Sequence, residues 1–440
     1  MTEPAVPIGS ADPPGPADPP GPAEAGGPAE AVEPRAPVGG RWIALLSLAN
    51  LGLWMGYFGP LQVLLPNQVQ DIAGSGKTTA LGIVTGLGAL VAVLAGPLGG
   101  ALSDSTTART GRRHTWIVAG ALIGVAGLAL LPAQHTVAGL AISWCVCQAG
   151  LNVMQAGLTA VVPDRTPVRQ RGLVSGWVGL TQSVGVVAGV LLVTVVVTGL
   201  TSGYLLIGVL VLVTALPFVL ATPDPPVRDA PRFTAASLVT AFRVDVRGNP
   251  DFAWAWATRF LVQLGNAMAT LYLLYFLRDR VHYEQQFPGR KAEDGLAVLI
   301  VVYTVATVLT VVVGGVVSDR TGRRKPSVIL SGYVMAAAAL ILAAWPTWNG
   351  ALLAAVVLGL GFGVYLSVDQ ALITQVLPTA RDRARDLGII NIANSAPQVL
   401  GPALAFPIVA YLGGYPVLYL IVAAVTVLGS VLVTRIRSIA

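Results

Sequence analysis

Two charged residues stand where charge is expensive. Arg259 and Asp369 each lie inside a long apolar run, several residues from its nearer end. At ~1.5 Å per residue, both would sit roughly 12 Å in from the same face of a bilayer. Ionisable groups at that depth mark ion or substrate pathways by default. Equal depth and opposite charge predict an ion pair, which lowers the burial cost of each partner. Two roles fit such a pair. Either Asp369 takes up and releases a proton while Arg259 responds to its charge, or the pair permanently staples two helices.

Neutral polar side chains accompany the charges. Asn50 and Gln62 fall in the first apolar run, Asn152 and Gln155 in the fourth, and Gln263 and Asn266 in the seventh. Gln370 follows Asp369, and Asn391, Asn394 and Gln398 share the eleventh run. Gln148, Asn152, Gln155 and Thr159 recur at helical spacing and form one stripe, as do Asn391, Asn394 and Gln398. Such stripes either line a wet cavity or bond helix to helix. Amides without much net charge suit a polar neutral solute such as a sugar. Trp54, Tyr57, Phe58, Tyr272, Tyr275 and Tyr365 offer aromatic faces to sugar rings or to apolar drugs alike.

Composition says what must hold these residues. The chain is 54% apolar and 11% charged, a balance that belongs to lipid rather than to a soluble domain. Its 50 glycines and 31 prolines fall largely inside apolar runs outside the tail, as in membrane helices that pack closely and bend. Residues 1–40 differ. They are rich in Pro, Ala, Gly and Glu without apolar period, and read as a disordered tail without the marks of a signal peptide.

Runs of about twenty apolar residues predict twelve spans, at 42–66, 80–102, 115–133, 137–162, 172–199, 203–221, 251–277, 296–317, 326–346, 350–377, 387–411 and 415–434. The fold class is therefore an all-α membrane protein of two six-helix bundles, 41–221 and 251–440, joined by a polar loop over 222–250. Within that loop, Phe233 to Arg243 is apolar at helical spacing and reads as a surface helix or an ordinary linker helix. Alternate loops hold 21 and 5 Lys/Arg, which places both termini in the cytoplasm of a cell membrane by the positive-inside rule.

Several functions are excluded on the same evidence. The net charge of +6 comes from short clusters between spans, without a basic stripe, so nucleic acid is not a partner. Cys145 and Cys147 point to different sides of one helix and cannot pair. No metal-ligand cluster, H-E-x-x-H, G-x-S-x-G or Walker-type loop occurs. Neither an enzyme nor a metal or other cofactor is expected.

The halves repeat each other. The segment GGALSDSTTARTGRR from Gly99 matches GGVVSDRTGRR from Gly314, and Asp104 and Asp319 stand 215 positions apart. QAGLTAVVP from Gln155 matches QALITQVLP from Gln370 at the same offset. Gly172, Gln182 and Gly185 fall on Gly388, Gln398 and Gly401 at 216. Duplicated halves rocking about a shared site are how alternating access is built.

At these residues the chain resembles the major facilitator superfamily, over about residues 42 to 435. The resemblance rests on Gly100, Asp104, Arg109, Gly111, Arg112 and Arg113, repeated as Gly315, Asp319, Arg320, Gly322, Arg323 and Arg324. An aspartate at a span end can accept hydrogen bonds from a neighbouring helix N-terminus and pair with arginine. The cluster then latches one conformation, or its arginines serve only to fix topology. The longer first loop, SDSTTARTGRRHTW, is similar to that of the sucrose-type and glycoside–pentoside–hexuronide sugar symporters. The resemblance implies a monomeric, proton-coupled carrier of a small polar solute such as a sugar. A proton-antiport exporter of drugs or secondary metabolites is the alternative. One departure stands against the sugar branch. The first span offers no carboxylate before Asp71, and Met154 occupies the repeat position of Asp369.

Overall fold

The computed structural model describes residues 36–226, 249–321, 324–376 and 383–437. The disordered-tail reading of residues 1–35 and the surface-helix reading of Phe233 to Arg243 lie outside them. Among the described residues all regular structure is helical, as lipid demands: every backbone N–H and C=O there must be satisfied within its own segment.

The first span runs through Gly40–Gly59, a π-helical turn Pro60–Leu64, and Leu65–Ala73. The second is Lys77–Asp104, the third Arg112–Leu130, the fourth Val137–Arg165. The fifth is Val168–Leu191 with a π turn Leu192–Val196, and the sixth Leu200–Ala221. The seventh is broken at Tyr272 into Pro250–Leu271 and Leu273–Asp279. The eighth to twelfth are Ala292–Thr321, Arg324–Ala344, Trp348–Val376, Arg383–Tyr411 and Gly414–Leu432.

Among the described residues, ten helical runs are long and apolar enough to cross a membrane. The run Gly40–Asp104 contains two spans, because a 3-10 turn at Gly74–Gly76 folds it back. The eleventh span enters only through its shorter apolar part, Ala396–Tyr411. Twelve spans result.

The first span differs from its sequence boundary. Composition ends it at Pro66, yet the helix continues to Ala73. Its last turns carry Asn67, Gln68 and Gln70, whose side chains find partners elsewhere in the protein. A polar helix end that is paired needs no apolar sequence.

Each half packs by the same plan. The second and fourth spans, third and fourth, first and fifth, and first and sixth are neighbours; so are the eighth and tenth, ninth and tenth, seventh and eleventh, and seventh and twelfth. Small residues permit the closest crossing. A Cβ on Gly127 would overlap the backbone of Cys147, and one on Gly120 the backbone of Met154, which is the small-residue packing expected between membrane helices.

The halves meet through the second and eleventh spans and the fifth and eighth. Gly82 and Gly86 abut Phe406 and Ala403, toward the end of the second span that begins at Lys77. The face carrying the Gly111–Arg113 loop is called the motif face below, and the other the gate face.

Candidate functional site

Arg259, Gln263 and Asn266 recur every three or four residues on the seventh span and share one side of it. The tenth span brings Asp369 to the first of them, with both residues 3% exposed. Arg259 Nη1 lies 3.2 Å from Asp369 Oδ2. Arg259 Nε donates to Asn394 Oδ1 at 2.6 Å, and Gln263 Nε2 donates to the same oxygen at 3.3 Å. Three spans of the second half thus converge on one charge pair. Two charges leave water here at a cost of several kcal/mol per ion, and their mutual attraction and the Asn394 bond offset it. One donor and one acceptor are left over: Arg259 Nη1 makes an ion pair outside hydrogen-bond geometry, and Gln263 Oε1 is buried without a partner.

The first half contributes a different wall. Tyr57 Oη donates to Gln155 Oε1 at 3.2 Å, linking the first and fourth spans. Trp54 packs on Tyr57 and Phe58 with ring centroids 5.7 and 6.0 Å apart. Asn50 donates to Leu46 O, and Asn152 to Gln148 O, so both return to their own helix. Met154 is fully buried. Gln398 is half-buried. The side chains of Gln370 and Asn391 lie outside the described residues.

At the motif face the polar cluster is tight. Arg113 pairs with Asp104 and with Asp164, both at 2.7 Å, and Arg112 reaches Asp164 at 2.7 Å. The helix N-terminus that Asp104 was expected to cap is taken by another residue. Asp224, just after the sixth span, accepts the backbone N–H of Arg113 at 2.7 Å and of His114 at 2.9 Å. Asp104 lies beside the guanidinium instead and remains 54% exposed, while Arg109 is exposed outside the cluster. Asp164 and Asp224 are thus members of the motif cluster that sequence reasoning missed. Carboxylates at the ends of spans, Asp164 in the last turn of the fourth and Asp224 just after the sixth, were the available signal. Gly100 has open space around its Cα, so it is not needed for close approach here.

Gly111 is needed. Its φ of 93° and ψ of 158° are open essentially to glycine alone, and a Cβ would strike Asp224. Gly111→Ala should lower unfolding stability by about 1–3 kcal/mol, read as a fall in Tm of the detergent-solubilised protein. An unchanged Tm would show that this loop relaxes freely. In the repeat, Arg324 opens the ninth span. The side chains of Gly315, Asp319 and Arg320, and residues Gly322 and Arg323 entirely, lie outside the described residues.

The gate face holds a network that joins the halves. Glu293 Oε1 accepts from Asn67 Nδ2 at 2.8 Å and from Arg278 Nη2 at 2.6 Å. Arg278 also donates to Asn67 Oδ1 at 2.7 Å and Gln70 Oε1 at 2.8 Å. Lys77 pairs with Asp279 at 2.8 Å and stands over the Tyr275 ring. Tyr415 Oη donates to Asp279 at 2.8 Å, and Tyr275 Oη to Pro66 O at 2.8 Å. Asn67, Gln70, Lys77 and Pro66 belong to the first half; Tyr275, Arg278, Asp279, Glu293 and Tyr415 to the second. Sequence reading counted these charges as loop residues because they fall at span ends.

Two six-helix bundles, a basic loop between the second and third spans and a buried charge pair define a polytopic carrier. The pattern of the Major Facilitator Superfamily matches residues 43–292 and 281–439, and the chain belongs to that superfamily of transporters. No match is found among curated proteins. Solved structures are similar in fold. A point mutant of the nucleoside transporter NupG is 15% identical with a TM-score of 0.68, covering 90% of this chain and 99% of its own. A POT family transporter in complex with a thioalcohol-conjugated peptide is 16% identical with a TM-score of 0.70, covering 90% and 96%. The human organic anion transporter MFSD10 (TETRAN) is 16% identical with a TM-score of 0.64, covering 89% and 99%.

Proposed function

We propose that this transporter couples the movement of protons to uptake of a small polar organic solute, of the sugar or glycoside kind, by alternating access. The observation that carries the reading is the Arg259–Asp369 pair, 3% exposed on both sides and tied to Asn394 and Gln263. A carboxylate there is neutralised by a proton at the cost of its bond to arginine. That exchange gives the coupling ion a direct hold on three spans. Amides and aromatic faces of the first half, Gln155, Tyr57 and Trp54, would supply hydrogen bonds and ring contact without net charge.

The gate network closes one face in this state. With both termini in the cytoplasm of a cell membrane, as the Lys/Arg distribution predicts, the gate face would be the external one, and the network would close the protein to the outside. Every residue of this arrangement belongs to one chain, which supports a monomeric working unit. The similar structures named for a nucleoside, a peptide and an organic anion transporter share the architecture at low identity and leave the solute open.

Thermal stabilisation tests the solute class, because a ligand that binds the folded state raises its Tm by mass action. Monosaccharides, disaccharides and glycosides should raise Tm selectively over amphiphilic antibiotics. Shifts with the amphiphiles alone would sink the uptake reading in favour of an antiport exporter.

A further inference from the structure

We infer that a buried cavity beside the seventh span is a subsite for a short apolar group on the carried solute; this rests on the reading of that solute given above. The cavity measures about 60 Å³, room for two or three heavy atoms on the scale of liquid water. The seventh to tenth and the twelfth spans of the second half line it, with Leu299, Ile300, Met335, Ala339 and Ala354 among its apolar residues. The first half adds Gln62 and Val186 to this lining. The cavity is therefore complete only while the halves are closed toward the gate face.

Two polar atoms mark it as more than a packing defect. Gln62 Oε1 and Asn266 Oδ1 are buried without a hydrogen-bond partner, on residues 6% and 8% exposed, and both residues line the cavity. Apolar cavities of this kind stay dry, yet native proteins rarely leave buried acceptors without a donor. An occupant that satisfies both demands carries an alkyl end and donor hydroxyls beside its root, as the ring of an alkyl glycoside does. Local backbone agrees with a binding role. Gln62 sits in the π turn Pro60–Leu64, a distortion that recurs at functional sites. Thr270 and Leu273, also in the lining, flank the break in the seventh span at Tyr272. Asn266 lies seven residues beyond Arg259 on the same side of the helix, ~10 Å along it. A solute with its polar ring at the charge pair and a short substituent pointing to the gate face spans that distance. Because its hydroxyls would donate to Gln62 in one half and Asn266 in the other, such a solute also draws the halves together on that face.

The test uses methyl, ethyl, n-propyl and n-hexyl β-D-glucosides and β-D-galactosides, with affinity taken from Tm shifts of the full-length protein. Each methylene that enters should tighten binding about fourfold, from methyl through n-propyl, with no further gain at n-hexyl. Ala339→Leu fills the space, and its series should run flat. If that variant fails to fold, Ala354→Val removes less volume and should blunt the same dependence. Measurable binding with a flat wild-type series would overturn the subsite and leave the sugar reading standing. If no glycoside binds at all, the sugar reading falls, and crystals under xenon pressure decide the cavity alone. Xenon between Leu299 and Met335 supports an apolar subsite. Ordered waters bonded to Gln62 and Asn266 overturn it as a buried hydration site.

Discussion

Asp369→Asn should abolish solute accumulation driven by a pH gradient, by at least about tenfold, while solute exchange without a gradient continues. The asparagine keeps the shape of the side chain and loses the exchangeable proton. If Asp369 were only half of a permanent staple, gradient-driven and gradient-free fluxes would instead fall together. Stability separates the two roles further. Asp369→Ala leaves the Arg259 guanidinium buried with no counter-charge, and breaking a buried pair in this way costs about 3–5 kcal/mol. Removing both charges in Arg259→Gln, Asp369→Asn should restore most of that loss, since replacing a whole buried pair is often neutral. The double variant should regain the wild-type Tm and remain uncoupled. Recovery of gradient-driven uptake in the double variant would exclude proton transfer through this pair.

Arg278→Ala should open the gate face. It deletes the bonds to Asn67 and Gln70 and frees Glu293 from its cation. The Arg278 and Glu293 side chains are only 15% and 14% exposed, so water replaces those bonds incompletely. A net loss of about 2 kcal/mol for such charge-assisted bonds shifts an equilibrium roughly thirtyfold. The readout is a cysteine at Gln62, in a chain whose Cys145 and Cys147 are serines, exposed to a membrane-impermeant thiol reagent from the gate side. Modification should accelerate by an order of magnitude or more in Arg278→Ala. An unchanged rate would mean that helix packing, such as Gly82 against Phe406, holds this face shut without the polar network.

How much of this could be read from the sequence depends on how local each signal was. The span count and the repeat were legible because lipid imposes a length and an apolar composition on every span, and duplication fixed one offset for Asp104 and Gln155. Arg259 and Asp369 were legible because a charge inside an apolar run has few ways to be tolerated, and their depths could be compared by counting residues. Charges at the ends of spans carry no such constraint, since water is near. Lys77, Asp279, Arg278 and Glu293 therefore looked like ordinary loop residues until the fold set them face to face. Asp224 shows the same limit within one half. Its capping of the third span depends on the path of the chain after Ala221, which no spacing rule encodes. The amide stripes were ambiguous in sequence for a further reason. Asn152 satisfies itself on its own helix, whereas Gln155, one turn later, reaches another.

The side-chain bonds between the halves described above gather on a single face, and this has a consequence for how affinity is measured. A protein that rests mostly closed on that side presents its site there for only a small fraction of the time. The dissociation constant seen from that side is the intrinsic one divided by that fraction, while from the other side it is nearly undiluted. Sidedness in apparent affinity would then arise with one and the same set of contacts to the solute. Sequence changes at Asn67, Gln70 or Lys77, which belong to the network between the halves, would tune transport at scarce supply by setting how long the protein waits in each posture.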